Sequence, residues 1–186
     1  MPTKIKAGDL LIAPPNMPDP RFHKSVLFLT HYNGKGAHAL CVNRETEHRL
    51  SDVIKPLNIT LDRDPTLYWG GPVGTATVWM LHDPSWSVEN TMKVNKDWCI
   101  TSHIQMFHHM ANGYWPKRFR IMFGHSSWSD GQLDMELEGA EPWSRNSSWL
   151  VVKQPDADWL NDYDPATIWS SGCSICSQQT IDSWMT

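Results

Sequence analysis

The chain has 186 residues, 40% of them hydrophobic and 19% charged, which fits one folded domain and excludes collagen, coiled coil and wholesale disorder. Sixteen Lys and Arg against 20 Asp and Glu leave a net charge of −4, so the field of the whole molecule opposes tight non-specific binding to nucleic acid or to an anionic membrane surface. No apolar run is long enough to span a bilayer, Leu10–Ala13 ahead of Pro14 and Pro15 is too short for the core of a secretory leader, and four cysteines without an export signal read as thiols, so the expected setting is cytoplasmic.

In chain order, Asp9 to Ala13 reads as a short strand, and Pro14, Pro15, Pro18 and Pro20 confine the stretch up to Phe22 to an irregular loop. Ser25–His31 and Ala37–Asn43 are β-rich runs whose connection contains Asn33-Gly34, a source of the positive φ that a hairpin turn needs. A short helix is expected over Arg49–Leu57, limited by Pro56, and strands over Thr66–Trp69 and Thr75–His82. Ser102 and Gln105 have capping-box spacing, and Ile104, Phe107 and Met110 or Ala111 share a face, which predicts a helix from Ser102 to Asn112. Lys117–His125 alternates, with Phe119, Ile121 and Phe123 opposed to Arg118, Arg120 and Met122, as a half-buried strand does. Ser129 and Asp130 are placed to cap a helix through Glu138, and Trp149–Lys153 reads as a strand. Asp164 caps a last helical section that Gly172 would stop, before a second short turn through Trp184. Strands and helices without a regular βαβ rhythm predict an α+β fold, with residues 1–186 as a single domain. Eleven tryptophans spread from Trp69 to Trp184 without a period point to rings distributed through one core and its rim.

Several patterns invite a chemical reading, and each has a plainer one. Cys173-Ser174-Ile175-Cys176 has the spacing of a redox pair or of half a zinc site, yet no second pair completes four ligands, and His103, His108 and His109 face different ways on a helix. No metal and no cofactor is expected. Gly124-His125-Ser126-Ser127-Trp128 looks only superficially like a nucleophile elbow, because Trp128 stands where that sharp turn needs glycine. Gly70-Gly71-Pro72-Val73-Gly74 lacks the Lys-Ser/Thr tail of a phosphate loop, and Pro72 removes an N–H that an anion would use, so a tight turn is expected. Lys117, Arg118 and Arg120 form a basic cluster that could touch phosphates from the outer face of a strand, though without any nucleic-acid-binding signature a solvated face is the plainer meaning. Asn43-Arg44, just past a strand end, places a guanidinium well for a carboxylate or phosphate.

Several stretches together resemble the YqgE/AlgH family of bacterial proteins. They are Gly8–Ala13 followed by Met17, Asp19 and Phe22, then Ser25-Val26, Gly36-Ala37 and Val42-Asn43-Arg44, then Trp69-Gly70-Gly71-Pro72-Val73 and Leu81-His82. Trp128 with Gly131-Gln132-Leu133, Glu136-Leu137, Trp143 and Trp169 complete the series, in the family's order over nearly the whole chain. Glu45 follows Arg44 where the family usually has proline, Gly124-His125-Ser126-Ser127-Trp128 stands for a Gly-Tyr-x-Gly-Trp pattern, and Glu141-Pro142-Trp143 for Asn-x-Trp, the marks of a divergent member. The resemblance implies an α+β fold with a coiled, barrel-like, mostly antiparallel sheet and flanking helices. For function it implies a family described as uncharacterised or as transcriptional regulators, with no catalytic set to carry over.

The expected role is non-catalytic regulation or protein interaction, with a protein partner and neither nucleic acid nor membrane. Direct DNA binding through Lys117, Arg118 and Arg120 is one alternative, and a small-molecule binder or enzyme around Arg44 and His125 is another. If the resemblance holds, Asn43, Arg44, Gly70, Gly71, Pro72, His125, Trp128 and Gln132 gather on one rim. There Arg44 would offer a cation, Asn43 and Gln132 neutral hydrogen bonds, His125 a charge that changes near pH ~6.5, and Trp128 an apolar wall. The plainer alternative has Asn43 and Gln132 capping turns and Arg44 paired with an acid such as Glu136.

Overall fold

The computed structural model describes residues 4–141, 148–162 and 164–185. The strands are β1 (Leu10–Ile12), β2 (Val26–Tyr32), β3 (Ala37–Cys41), β4 (Glu45–Arg49), β5 (Thr66–Trp69), β6 (Val73–His82), β7 (Met92–Lys93), β8 (Cys99–Thr101), β9 (Phe119–Trp128) and β10 (Leu150–Val152). The helices are α1 (Leu50–Ile54), α2 (Gln105–Ala111), α3 (Gln132–Glu138), α4 (Trp159–Asp162) and α5 (Ile168–Met185). The strands run β10-β1-β2-β3-β9-β6-β8-β7 with antiparallel neighbours, and β4 pairs with β5, which lies parallel to β9 through Tyr68–Met122 and Trp69–Phe123. The sheet curls into a half-barrel, the α+β architecture that the resemblance implied.

Strand alternation decides the layers. Leu10 and Ile12 join Val26, Phe28, Leu40 and Val42 in one buried cluster, whereas Leu11 joins Leu27, Leu29, Ala39 and Cys41 in another. A sheet apolar on both faces has to be covered on both. Trp159, Leu160 and Ile168 from α4 and α5 pack over the first cluster, and Leu133 and Leu137 from α3 over the second. A third cluster sets Leu50 and Ile54 of α1 and Met106, Phe107 and Met110 of α2 against Leu67, Met80 and Ile121.

This double covering corrects the half-buried strand expected at Lys117–His125. β9 is central, and its successive residues Ile121 and Met122 are both buried, one in the third cluster and one in the first. The helix expected from Ser102 begins at Gln105, because the Ser102 hydroxyl donates to the Val78 carbonyl of β6 at 2.9 Å instead of capping. Ile104 is consequently exposed, and Met106 takes the inner position. Gly172 does not stop α5. A Cβ there would lie 2.7 Å from Ile12 Cδ1, so glycine at this position lets the helix lie directly on β1. β4, with the sequence ETEHR, shows no apolar alternation because most of it is exposed.

Gly70, Gly71 and Gly124 mark where the sheet forks. β9 pairs with β6, and it also pairs with β5 at Met122 and Phe123 and with β3 from Ser126 onward. At the junction a Cβ on Gly70, Gly71 or Gly124 would overlap the opposing backbone, and Gly124 adopts φ +73°. The glycines expected to form a tight turn serve a close backbone crossing that leads from β5 into β6.

Candidate functional site

Beside this crossing lies a cleft of about 560 Å³ between the Pro18–Phe22 segment and the end of β9, lined also by Pro72, Val73, Ser126, Ser127, Trp128, Gln132 and Glu136. The wall is organised by its own sequence. Asp19 caps a single 3-10 turn over Pro20–Phe22, accepting from the Arg21 amide at 3.0 Å and from the Arg21 guanidinium at 2.7 Å. These bonds hold the Asp19 carboxyl below the usual carboxylate range. Phe22 is buried against Trp69 and Trp149, with ring centroids 6.2 and 5.6 Å away.

Opposite this wall, Glu136 of α3 is a hub. Its Oε2 accepts from the indole N–H groups of Trp128 at 2.9 Å and Trp149 at 2.8 Å, while Oε1 accepts from Gln132 Nε2 at 3.1 Å. Gln132 Oε1 in turn accepts from the Ser129 amide at 3.1 Å, so the capping expected of Gln132 is present. On the cleft floor Ser126 Oγ is buried without a hydrogen-bond partner among the described residues.

Of the eight residues expected on one rim, Pro72, Trp128 and Gln132 line this cleft, and Gly70 and Gly71 form the crossing beneath it. Asn43 and Arg44 stand behind the wall, beside a separate hollow of about 380 Å³ that Lys24 and Trp169 also line. Asn43 Oδ1 accepts from the Val26 amide at 2.9 Å, and its Nδ2 donates to the Lys24 carbonyl at 2.8 Å. The Arg44 guanidinium lies 4.8 Å from the Trp69 ring centroid and donates to the carbonyls of Arg21 and His23 and to Ser25 Oγ. Pairing of Arg44 with Glu136 is thereby corrected, since the carboxylate is committed to the two indoles and Gln132.

His125 and Ser126 are neighbours on β9, and the pleat sends them to different cavities. His125 lines a hollow of about 450 Å³ with Thr30, His31, His38, Leu40, Trp79, Met92, Lys93, Val94 and Ile100. His38 stacks on His125 with centroids 5.0 Å apart and an interplanar angle of 20°. Partial desolvation pushes both imidazoles below their ordinary pKa, His31 adding to the effect on His38 and His38 to that on His125. Trp79 Nε1 and His125 Nδ1 are buried with no hydrogen-bond partner among the described residues.

The basic cluster does not form one open face. Lys117 is exposed, but Arg118 pairs with Asp158, and Arg120 is folded inward to donate to the carbonyls of Val42 and Leu160 with its guanidinium 4.6 Å from the Tyr68 ring centroid. The reason is again that β9 is covered on both sides. Cys173 and Cys176 are free thiols on α5, packed against the first cluster, and burial pushes both up in pKa. Among the described residues no group of three or more His, Cys, Asp or Glu could hold a metal ion, and no helix is long and apolar enough to cross a membrane.

A model of the AlgH-like family matches residues 10–180. The chain belongs to this family. A UPF0301 protein of Burkholderia cenocepacia is 36% identical over 151 residues, covering 78% of this chain and 75% of the relative, and one of Burkholderia lata matches to the same extent. The solution structure of the AlgH protein from Pseudomonas aeruginosa superposes with a TM-score of 0.73 at 27% identity, covering 94% of this chain and 90% of the other. A crystal structure of a Corynebacterium diphtheriae protein gives 0.67 at 17% identity over 92% and 87% of the two chains, a likeness of fold alone.

Several stretches that carry the AlgH-like resemblance build the cleft and its supports: Asp19, Phe22, Asn43-Arg44, Gly70-Gly71-Pro72, Trp128, Gln132 and Glu136. Trp143 lies outside the described residues. Trp169 Nε1 donates to the Ala13 carbonyl at 2.8 Å, fastening α5 to the chain just past β1. Glu45, in place of the usual proline, opens β4 and accepts from the Tyr68 hydroxyl at 2.9 Å; Tyr68 is pushed up to about 12, first by burial. Residue reasoning missed Glu136 as a hub, although its spacing of four from Gln132 was visible, and it missed His31 and His38, which the hairpin register places opposite each other. Trp79 carried no sequence signal beyond its strand.

Proposed function

We propose that this AlgH-like chain works by binding, as a non-catalytic regulatory or interaction protein, and that the cleft between the Pro18–Phe22 segment and Trp128 receives an extended segment of a protein partner. One observation carries the reading: Ser126 and Ser127 line the cleft with no imidazole among its lining residues, and His125 lines a different cavity. The cleft acid Glu136 and the supporting base Arg44 hold the wall together through fixed hydrogen bonds. What remains open is Arg21, Val73 and Ser127 at the rim around apolar faces of Pro72 and Trp128, a surface suited to recognition. A cytoplasmic setting suits this reading, since all four cysteines are free thiols.

The test is site-specific photo-crosslinking from exposed Ser127 in cells of the source organism, with exposed Gln178 on α5 as the control position. A discrete adduct from Ser127 that Val73→Glu abolishes supports the cleft. The same adducts from both positions, or none from Ser127, would refute it.

A further inference from the structure

We propose that the cavity lined by strands β2, β3, β6, β7, β8 and β9 binds a small organic monocarboxylate with an apolar body, held by Trp79, Lys93 and the cluster of His31, His38 and His125. The site exists because the sheet curls: residues from β2, β3, β9, β6, β8 and β7 line one cavity of about 450 Å³, a size within the range of small-molecule pockets. Its base is apolar, with Leu40, Val94 and Ile100, and among the described residues no carboxylate lines it.

Two polar atoms of its lining residues have no hydrogen-bond partner among the described residues. An indole N–H and an ammonium only donate, and Trp79 Nε1 is buried with nothing to accept from it among the described residues. His125 Nδ1 is likewise buried and without a partner among them. A carboxylate brings two oxygens and one negative charge. One charge matches the wall, because Lys93 is its fixed cation and the free His38 and His125 are held toward their neutral forms. The titratable groups lining the cavity are His31 on β2, His38 on β3, His125 on β9 and Lys93 on β7. An anion beside His38 and His125 favours their protonation, so binding takes up protons and tightens as pH falls from 8 to 6.

The test is calorimetric titration of the full chain with octanoate, with 1-octanol as the same tail without charge and octyl phosphate as a dianion. Octanoate is expected to bind roughly tenfold or more tightly than octanol, as loss of a charged hydrogen-bond partner implies. It should also move the indole N–H resonance of Trp79, assigned by its disappearance in Trp79→Phe. Trp79→Phe and Lys93→Gln should each weaken octanoate roughly fivefold to tenfold at unchanged thermal stability. Lys93 is exposed, so the second variant serves even where the first disturbs folding. Equal affinity for octanol, tighter binding of octyl phosphate, no binding of octanoate, or unchanged affinity in Lys93→Gln overturns the proposal.

Discussion

Removing the Glu136 carboxylate should loosen the joint between α3, β9 and the Trp149 segment. Its two oxygens accept three bonds, two from indoles whose residues are only 6% and 4% exposed, Trp128 and Trp149, and one from Gln132. Hydrogen bonds to a charged acceptor contribute about 1.5–3 kcal/mol each, and withdrawing the acceptor from a buried donor costs about 1–3 kcal/mol. Glu136→Ala takes the acceptor from both indoles at once, so a loss of about 3–5 kcal/mol is expected, less than the simple sum because the bonds share one group. Glu136→Gln keeps one oxygen for the indoles but turns an amide toward the Gln132 amide, and Gln132 is not free to flip while its own oxygen caps Ser129. About 2 kcal/mol is expected for that change. Urea unfolding followed by tryptophan fluorescence measures both, with Leu133→Ala on the same helix as a packing control. A Glu136→Ala midpoint indistinguishable from wild type would show that the indoles find other acceptors and that the carboxylate is no hub.

Gly71→Ala should fail to fold or lose more than about 3 kcal/mol, because the new Cβ would overlap the His125 backbone, where no side-chain rotation relieves it; a thermal melt decides. Stability should decline as pH falls below the ordinary histidine pKa of about 6.5. His82, His38 and His125 all have folded values below it, so the unfolded chain gains protons first and the stabilisation present at higher pH is lost on acidification. His82 is fully buried between the Asp83 carbonyl and Thr101 Oγ1, and His82→Gln should flatten that slope in urea titrations at pH 7.5 and 5.5. With Arg118 paired and Arg120 turned inward, duplex DNA should bind no tighter than about 10⁻⁶ M in ~150 mM salt, and tight sequence-specific anisotropy curves would contradict this.

Much of the sheet was legible because period-two alternation and turn residues are local signals. β1, β3, β5 and β10 lie within stretches that alternation or β-rich composition marked, β2 runs one residue past its stretch to Tyr32, and β6 begins two residues before its own, at Val73. What failed was tertiary in origin. Ser102 had a choice between capping a helix and bonding Val78, and only the position of β6 decides it. Gly172 reads as a stop unless Ile12, 160 positions earlier, is known to lie beneath it. The candidate rim shows the same limit. The resemblance identified residues that cooperate, but the pleat of β9 separates His125 from Ser126, and only the crossing at Gly70, Gly71 and Gly124 determines which side each faces.

Arg44 offers the sharpest separation between recognition and support. Its guanidinium bonds two backbone carbonyls and a hydroxyl while stacking on Trp69, and the carbonyl of Arg21 belongs to the cleft wall. Lysine at this position keeps the charge but has neither the planar fork nor the flat face, so Arg44→Lys should lose about 1–3 kcal/mol of stability. If Arg44 acts as support, the Ser127 crosslink should weaken in proportion to that loss and recover when conditions restore the wall, for instance in a stabilising osmolyte. If Arg44 instead grips an acidic group of the partner, Arg44→Lys would leave the folded chain nearly as stable and still abolish the adduct. The three internal bonds favour support, because a guanidinium committed to fixed carbonyls has to break them before it can serve a ligand, at a cost of about 1 kcal/mol or more per bond.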